Sequence, residues 1–135
     1  MNGDEVGKLL GLMALADNRR PPEDDEGRKA MIAFWLRMVG DLNYRDAAAS
    51  VEAHYRESPE RIMPSHIRER VRVIRQARLD AAGPTEIPQE LAGRPIEARD
   101  WLQRVRDAIA DGAEPERAIA LADAAARAAI GGGPA

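Results

Sequence analysis

Cysteine is absent from this chain of 135 residues, and aromatic residues are few: two tryptophans, two tyrosines and one phenylalanine. Without cysteine the chain can form neither a disulfide framework nor a thiolate metal site, and a reducing cytoplasm is its natural setting. Long apolar runs are missing too. No stretch approaches the roughly 20 residues of a membrane span, and the first twenty residues lack a signal-peptide core. We therefore expect a cytoplasmic protein with no membrane partner.

Motifs for nucleotide binding and catalysis are also missing. The chain contains neither a G-x-x-x-x-G-K-[ST] loop nor a G-x-G-x-x-G turn, so a phosphate-bearing cofactor has no support. His54 and His66 lie in different predicted helices without partners at ligand spacing, and we expect surface or capping roles for them. The acidic run 23–26 would suit either a hard cation or a capped helix N-terminus. We expect a protein that is not an enzyme and that has no cofactor or metal.

Charge is distributed unevenly along the chain. The formal net charge is −3, which is unlike a basic nucleic-acid coat protein. Residues 61–80 nevertheless hold six arginines against two acidic residues, a local net charge of +4. Both flanking segments are acidic, so the positive charge is concentrated in one short segment.

Hydrophobic residues recur at helical spacing throughout, and no segment alternates as a strand does. The pattern predicts helices at about residues 4–16, 26–39, 44–56, 66–80, 95–111 and 115–130. Asn43 and Ser65 are predicted to cap the third and fourth helices. The second helix has a predicted apolar face formed by Met31, Phe34, Trp35 and Met38 and widened by Ile32 and Val39.

These helices predict an all-α fold in two parts. Residues 1–80 form a small four-helix N-terminal domain, and prolines and glycines make 81–94 a linker. Residues 95–130 form a helical hairpin and a candidate partner-binding segment, and 131–135 form a flexible tail. Because the hairpin is too small to be stable alone, we expect it to pack on the N-terminal domain, a second copy or a partner.

The fourth helix, in the stretch PSHIRERVRVIRQARL, carries two stripes on a helical wheel. The apolar stripe is Ile67, Val71 and Ile74, and the basic stripe beside it is Arg68, Arg72 and Arg75. Arginines one turn apart, with Arg61 before the helix, can follow a phosphate backbone, although no aromatic side chain among them offers base stacking. Three interpretations stay open: a solvated or internally paired face, a protein-binding face and a nucleic-acid-binding face.

Three stretches follow one another along the chain: DEVGKLLGLMALAD, AMIAFWLRMVGDLNYRDAAASVEAHYRES and IMPSHIRERVRVIR. Over about residues 4–78 they resemble the phage replicative-helicase loader/inhibitor family. The shared features are a leading amphipathic helix, a Trp-containing helix and a Pro-capped final helix. The positions that carry the resemblance are Leu9, Leu10, Trp35, Leu42, Tyr44, Ala47, Val51, His54, Pro64 and Ile67.

The resemblance implies an adaptor without its own ATPase that binds the hexameric replicative helicase, holds it inactive and delivers it to an origin-binding protein. In the family the C-terminal part is flexible and engages the helicase, whereas here two helices are predicted. One apolar face there is either packed within the protein or offered to the helicase: Trp101, Leu102, Val105 and Ile109. The alternatives are a small DNA-binding regulator that uses helix 66–80 with Arg61, Arg68, Arg72 and Arg75, and a phage structural or assembly protein.

Overall fold

The computed structural model describes residues 1–131, with side chains through residue 129. Within that range the predicted all-α fold is confirmed, since six α-helices and one short 3-10 helix occur and no strand does. None of these helices has the length and apolar content needed to cross a membrane. Residues 132–135 of the predicted tail lie outside the described residues. The helices are α1 Gly3–Asp17, α2 Asp25–Val39, α3 Tyr44–Glu57, α4 Pro64–Ala82, α5 Pro95–Ala110 and α6 Pro115–Gly131.

The chain divides into two compact units, and the division falls inside α4, between Val73 and Ile74. In the first unit α1 packs against both α2 and α3. The first part of α4 closes the same core with its apolar stripe, which confirms the helical spacing of Ile67 and Val71. The buried core residues are Val6, Leu9, Met13, Trp35, Val39, Ala47, Val51, Ile62, Ile67 and Val71.

The second unit is built on the hairpin of α5 and α6, which pack along each other. Trp101 lies buried in its core, and its indole Nε1 donates to Asp123 Oδ1 over 2.9 Å. The only polar atom of the indole is therefore satisfied, which removes the main cost of burying tryptophan. Leu79, in the last part of α4, also packs against this core.

The segment predicted as a linker, 81–94, is partly ordered by the second unit. α4 continues to Ala82, and Gly83 ends it with a φ of 72°, a left-handed conformation that glycine adopts at little cost. A 3-10 helix, Gln89–Leu91, follows. Leu91 is buried in the core of the hairpin, so this part of the segment is held by packing.

Side-chain caps begin two of the N-terminal helices. Asn43 caps α3 as predicted, since its Oδ1 accepts the N–H of Asp46 over 2.8 Å. At α1 the cap is a complete capping box, in which Asn2 accepts the N–H of Glu5 and the Glu5 carboxylate accepts the N–H of Asn2. The reciprocal arrangement fixes where α1 starts.

The prediction that Ser65 caps α4 is wrong, because the helix begins at Pro64 and Ser65 lies in its first turn. His66 has the capping role: its Nδ1 accepts the N–H of Met63, just before the helix, over 2.9 Å. The His66 ring also stacks on His54, with ring centroids 5.0 Å apart. His54 is buried, and its Nε2 lies 2.6 Å from the carbonyl oxygen of Glu60.

Two leucines of α1 offer a matched test of the N-terminal core. Leu9 is fully buried, whereas Leu15 is 84% exposed on the same helix. We expect Leu9→Ala to lower the free energy of unfolding by about 2–5 kcal/mol, because it leaves a cavity. Leu15→Ala should change it by less than about 0.5 kcal/mol. Urea unfolding followed by circular dichroism measures both, and equal effects would contradict this packing of α1.

Candidate interaction surfaces

The arginines of the predicted basic stripe of α4 form ion pairs with carboxylates. Arg68 binds Asp41 through two hydrogen bonds, Nη1 to Oδ1 at 2.6 Å and Nη2 to Oδ2 at 3.0 Å. Nη1 of Arg68 also donates to the carbonyl oxygen of Met38 over 3.0 Å. The guanidinium of Arg68 lowers the pKa of Asp41. Both side chains are well exposed, so the pair contributes at most about 1 kcal/mol to stability.

Three other arginines of α4 are also hydrogen-bonded to carboxylates. Arg72 binds Glu69 one turn away, with Nη2 2.7 Å from Oε1. Arg70 binds Glu57 of α3 over 2.9 Å. In each case the guanidinium lowers the pKa of its partner carboxyl. In the second unit, Arg75 binds Asp111. The local charge of +4 already counts Glu69, and three acids from outside the segment offset most of it: Asp41, Glu57 and Asp111.

Arg61, the fourth residue predicted to bind a partner, differs from the others. It lies in the chain before α4 and is exposed, and it forms no ion pair with the described residues. One free arginine does not make a phosphate-binding track, which needs several cations in register. Internal pairing is observed for Arg68, Arg72 and Arg75, and binding of a protein or a nucleic acid by this segment stays a prediction.

The apolar face predicted on the fifth helix is packed within its own unit. Trp101, Val105 and Ile109 are buried in the core of the hairpin, and Leu102 is half-buried against it. Of the two alternatives for this face, packing within the protein is the one that the structure has. A partner could reach these side chains only if the hairpin opened.

The apolar face predicted on α2 is only partly buried, and two of its residues lie at the surface. Phe34 is 46% exposed and Met38 is 38% exposed. The buried side of α2 runs through Trp35 and Val39, and Phe34 and Met38 lie roughly 80–120° around the helix from it. Since Phe34 and Met38 are one turn apart, they form a continuous exposed surface, here called the α2 apolar face.

A buried polar network joins three parts of the first unit. Arg19 forms a bidentate pair with Asp17, with Nε 3.0 Å from Oδ1 and Nη2 2.5 Å from Oδ2. The two side chains are only 6% and 8% exposed. Nη2 of Arg19 donates to the carbonyl oxygen of Ile62, and its guanidinium carbon lies 5.8 Å from the centre of the Trp35 ring.

Tyr55 of α3 completes this network, here called the Asp17 network. Its hydroxyl donates to Asp17 and accepts the N–H of Ile62 over 3.0 Å. The hydrogen bond from Arg19 holds the pKa of Asp17 far below its ordinary value, against the opposing effect of burial. Burial, followed by the hydrogen bond to Asp17, raises the pKa of Tyr55, so the hydroxyl stays protonated and keeps donating at neutral pH.

A recess of about 210 Å³ lies between α1 and α2, beside the Asp17 network. Its walls and floor are almost entirely apolar, and the loop after α1 forms one end of it. This α1–α2 groove is lined by Gly7, Leu10, Gly11, Ala14, Arg19, Arg20, Pro21, Arg28, Met31 and Ile32. The sequence pattern did not predict the groove, although two glycines one turn apart in an amphipathic helix are the signal that marks it.

Comparisons of the chain with protein-family models, with curated proteins and with solved structures gave no match. Several positions that resemble the helicase-loader family are core positions here: Leu9, Trp35, Ala47, Val51 and Ile67 are all buried. Core positions describe a fold more than they describe a function, which depends on the exposed sites that the fold carries.

Asp17→Asn tests how far the first unit depends on the Asp17 network. We expect the free energy of unfolding at pH 7 to fall by about 3 kcal/mol or more, because Arg19 is left buried without a counter-charge. The folded-state pKa lies below the ordinary 3.8, so the carboxylate stabilises the fold above that pH and this contribution is lost as the pH falls through the folded-state value. The difference in free energy of unfolding between wild type and variant should therefore become smaller in strong acid.

Asp41→Asn is the matched control, because it breaks an exposed Asp–Arg pair in the same unit. It should cost no more than about 1 kcal/mol. Chemical unfolding at a series of pH values measures both variants. The importance of the network would be contradicted if Asp17→Asn were as mild as Asp41→Asn, or if its effect did not depend on acid.

A DNA-binding measurement tests whether the ion pairs of the basic stripe keep its arginines from binding phosphates. Arg68 and Arg72 already bind carboxylates, so few of their charges are free to contact phosphates. We therefore expect a shallow slope when the logarithm of the affinity for a short duplex is plotted against the logarithm of the salt concentration, equivalent to fewer than about two phosphate contacts. The double variant Asp41→Asn, Glu69→Gln releases both arginines and should steepen the slope. Fluorescence anisotropy at several salt concentrations measures it. A steep slope for the wild type would support the DNA-binding alternative instead.

Proposed function

We propose that the chain is a non-enzymatic adaptor that binds, restrains and loads a hexameric replicative helicase through protein–protein contacts in the cytoplasm. The observation that carries the proposal is the α2 apolar face. Phe34 and Met38 are exposed one turn apart, and Arg37 lies beside them at the surface. Phenylalanine, methionine and arginine are enriched at protein interfaces relative to the rest of the surface.

The resemblance over residues 4–78 supports the choice of partner, since it covers the helices that surround the first core. In this proposal residues 1–80 act as the four-helix adaptor domain, and 95–130 form a separate hairpin. The hairpin's buried face, with Trp101 at its centre, is not the contact surface, because exposing it would break its own core. The α2 apolar face requires no such opening.

Restraint of the helicase follows from differential binding. A bound adaptor shifts the helicase toward one conformation only as far as it binds that conformation more tightly. An amphipathic helix that docks one apolar face into a groove is a common way to achieve such binding. Phe34 and Met38 would be the central anchors of the interface, surrounded by polar contacts that exclude water. No ATP hydrolysis by the adaptor is needed for this mode of action.

The double variant Phe34→Ser, Met38→Ser tests the proposal with a replicative helicase from the same genome. We expect the wild-type protein to co-elute with the helicase and to slow its unwinding of a forked duplex. The double variant should bind about thirty-fold more weakly or worse, because central anchors of an interface typically contribute about 2 kcal/mol or more. Calorimetry measures the affinity.

Leu15→Ser is the control, since it removes an exposed apolar side chain from another helix of the same unit. It should bind the helicase as the wild type does. The proposal fails if the wild type co-elutes no better than an unrelated helical protein. It also fails if the double variant, shown to be folded by circular dichroism, binds the helicase with unchanged affinity.

A further inference from the structure

The α1–α2 groove is an apolar recess that the first unit leaves open. Leu10 and Ala14 of α1 face Met31 and Ile32 of α2 across it. Its volume of about 210 Å³ is below the roughly 300–1,000 Å³ of pockets that enclose a free small molecule. A recess of this size suits one or two apolar side chains that a larger partner inserts.

The floor of the groove is backbone, because two glycines lie under it. A Cβ atom placed on Gly11 would meet nothing within 4 Å, and one on Gly7 would meet only the Ile32 Cδ1 at 4.0 Å. The groove is therefore open above Gly11, and a side chain introduced there would occupy it without disturbing the core. A larger residue substituted for Gly11 can therefore be used to fill the groove.

The charged side chains that line the groove are all of one sign, and the exposed acidic run 23–26 follows closely in the chain without lining it. Three of its described lining residues are arginines and none is acidic. Arg19 is bound to Asp17, and Arg28 donates to Asp25 and to two backbone carbonyls. Arg20 is exposed and forms no ion pair with the described residues. One unneutralised guanidinium thus lies where the loop closes the groove.

We propose that the α1–α2 groove binds an amphipathic helix of a partner protein that inserts apolar side chains one turn apart and places a carboxylate against Arg20. Helix-in-groove recognition uses apolar anchors at i, i+3 or i+4. The carboxylate of the helix follows from charge complementarity with Arg20, which is the lining arginine without an ion pair to the described residues. The proposal concerns a second surface and does not depend on helicase binding by the α2 apolar face.

A display library of helical peptides is the probe for this site, because it samples many combinations of apolar anchors and charge at once. The full chain serves as bait, and Gly11→Leu serves for counter-selection. Leucine is a better helix former than glycine, so this variant should fold at least as well as the wild type while its side chain fills the groove. We expect enriched peptides to carry paired apolar residues one turn apart and a net negative charge.

Individual peptides then give the affinities. Gly11→Leu should weaken binding of a selected acidic peptide about ten-fold or more, because its side chain occupies the space that the peptide needs. Arg20→Glu should also weaken it about ten-fold and should favour a matched peptide in which lysines replace the glutamates. Leu15→Ala, which changes an exposed residue away from the groove, should leave the affinity unchanged.

Three results would overturn the proposal. The selection could yield no peptide that binds the wild type more tightly than Gly11→Leu, the enriched peptides could be basic, or the affinity of a selected peptide could be unchanged by Arg20→Glu. Sedimentation of the chain alone tests a second copy as occupant. A dimer that dissociates in the Gly11→Leu variant would replace the partner helix with self-association. Helicase co-elution by the same variants separates the two surfaces, since Gly11→Leu should still bind the helicase.

Discussion

The buried ion pair between Asp17 and Arg19 is the constraint on which the first unit depends. It ties the end of α1 to α3 through the hydroxyl of Tyr55 and to the chain before α4 through the backbone of Ile62. Charges with so little exposure are tolerated only when every partner is present, because an unpaired buried charge is costly. A small helical core gains from such a network a fixed arrangement of its loops, in addition to the apolar burial that drives its folding.

The same rule of pairing shapes the surface of α4. A helix that reads as a strongly basic segment is mostly neutralised, because carboxylates from other parts of the chain reach Arg68, Arg70 and Arg75. Each exposed pair stabilises the fold only slightly, yet together they change what the helix offers to a partner. A nucleic acid would have to compete with these carboxylates for the arginines. Arg20 and Arg61, which form no ion pair with the described residues, lie outside α4.

The functional proposals rest instead on apolar surface that the fold leaves uncovered. α2 has more apolar residues than α1 can bury, so Phe34 and Met38 remain at the surface. In the N-terminal half of the same helix, beside Met31 and Ile32, two glycines of α1 leave a recess where larger side chains would have filled the contact. Exposed apolar surface of this kind adds little to stability and favours aggregation unless a partner covers it. Its presence therefore indicates a binding partner.

The sequence by itself determined the helices, because periodicity, prolines and capping residues such as Asn43 act locally. It also identified Ile67 and Val71 as buried residues from their spacing alone. Only the tertiary structure decided which side of α2 is covered, because that depends on where α1 crosses it and not on α2 itself. The partners of the arginines and the Asp17 network were decided in the same way, since they join residues far apart in the chain whose approach no local pattern encodes.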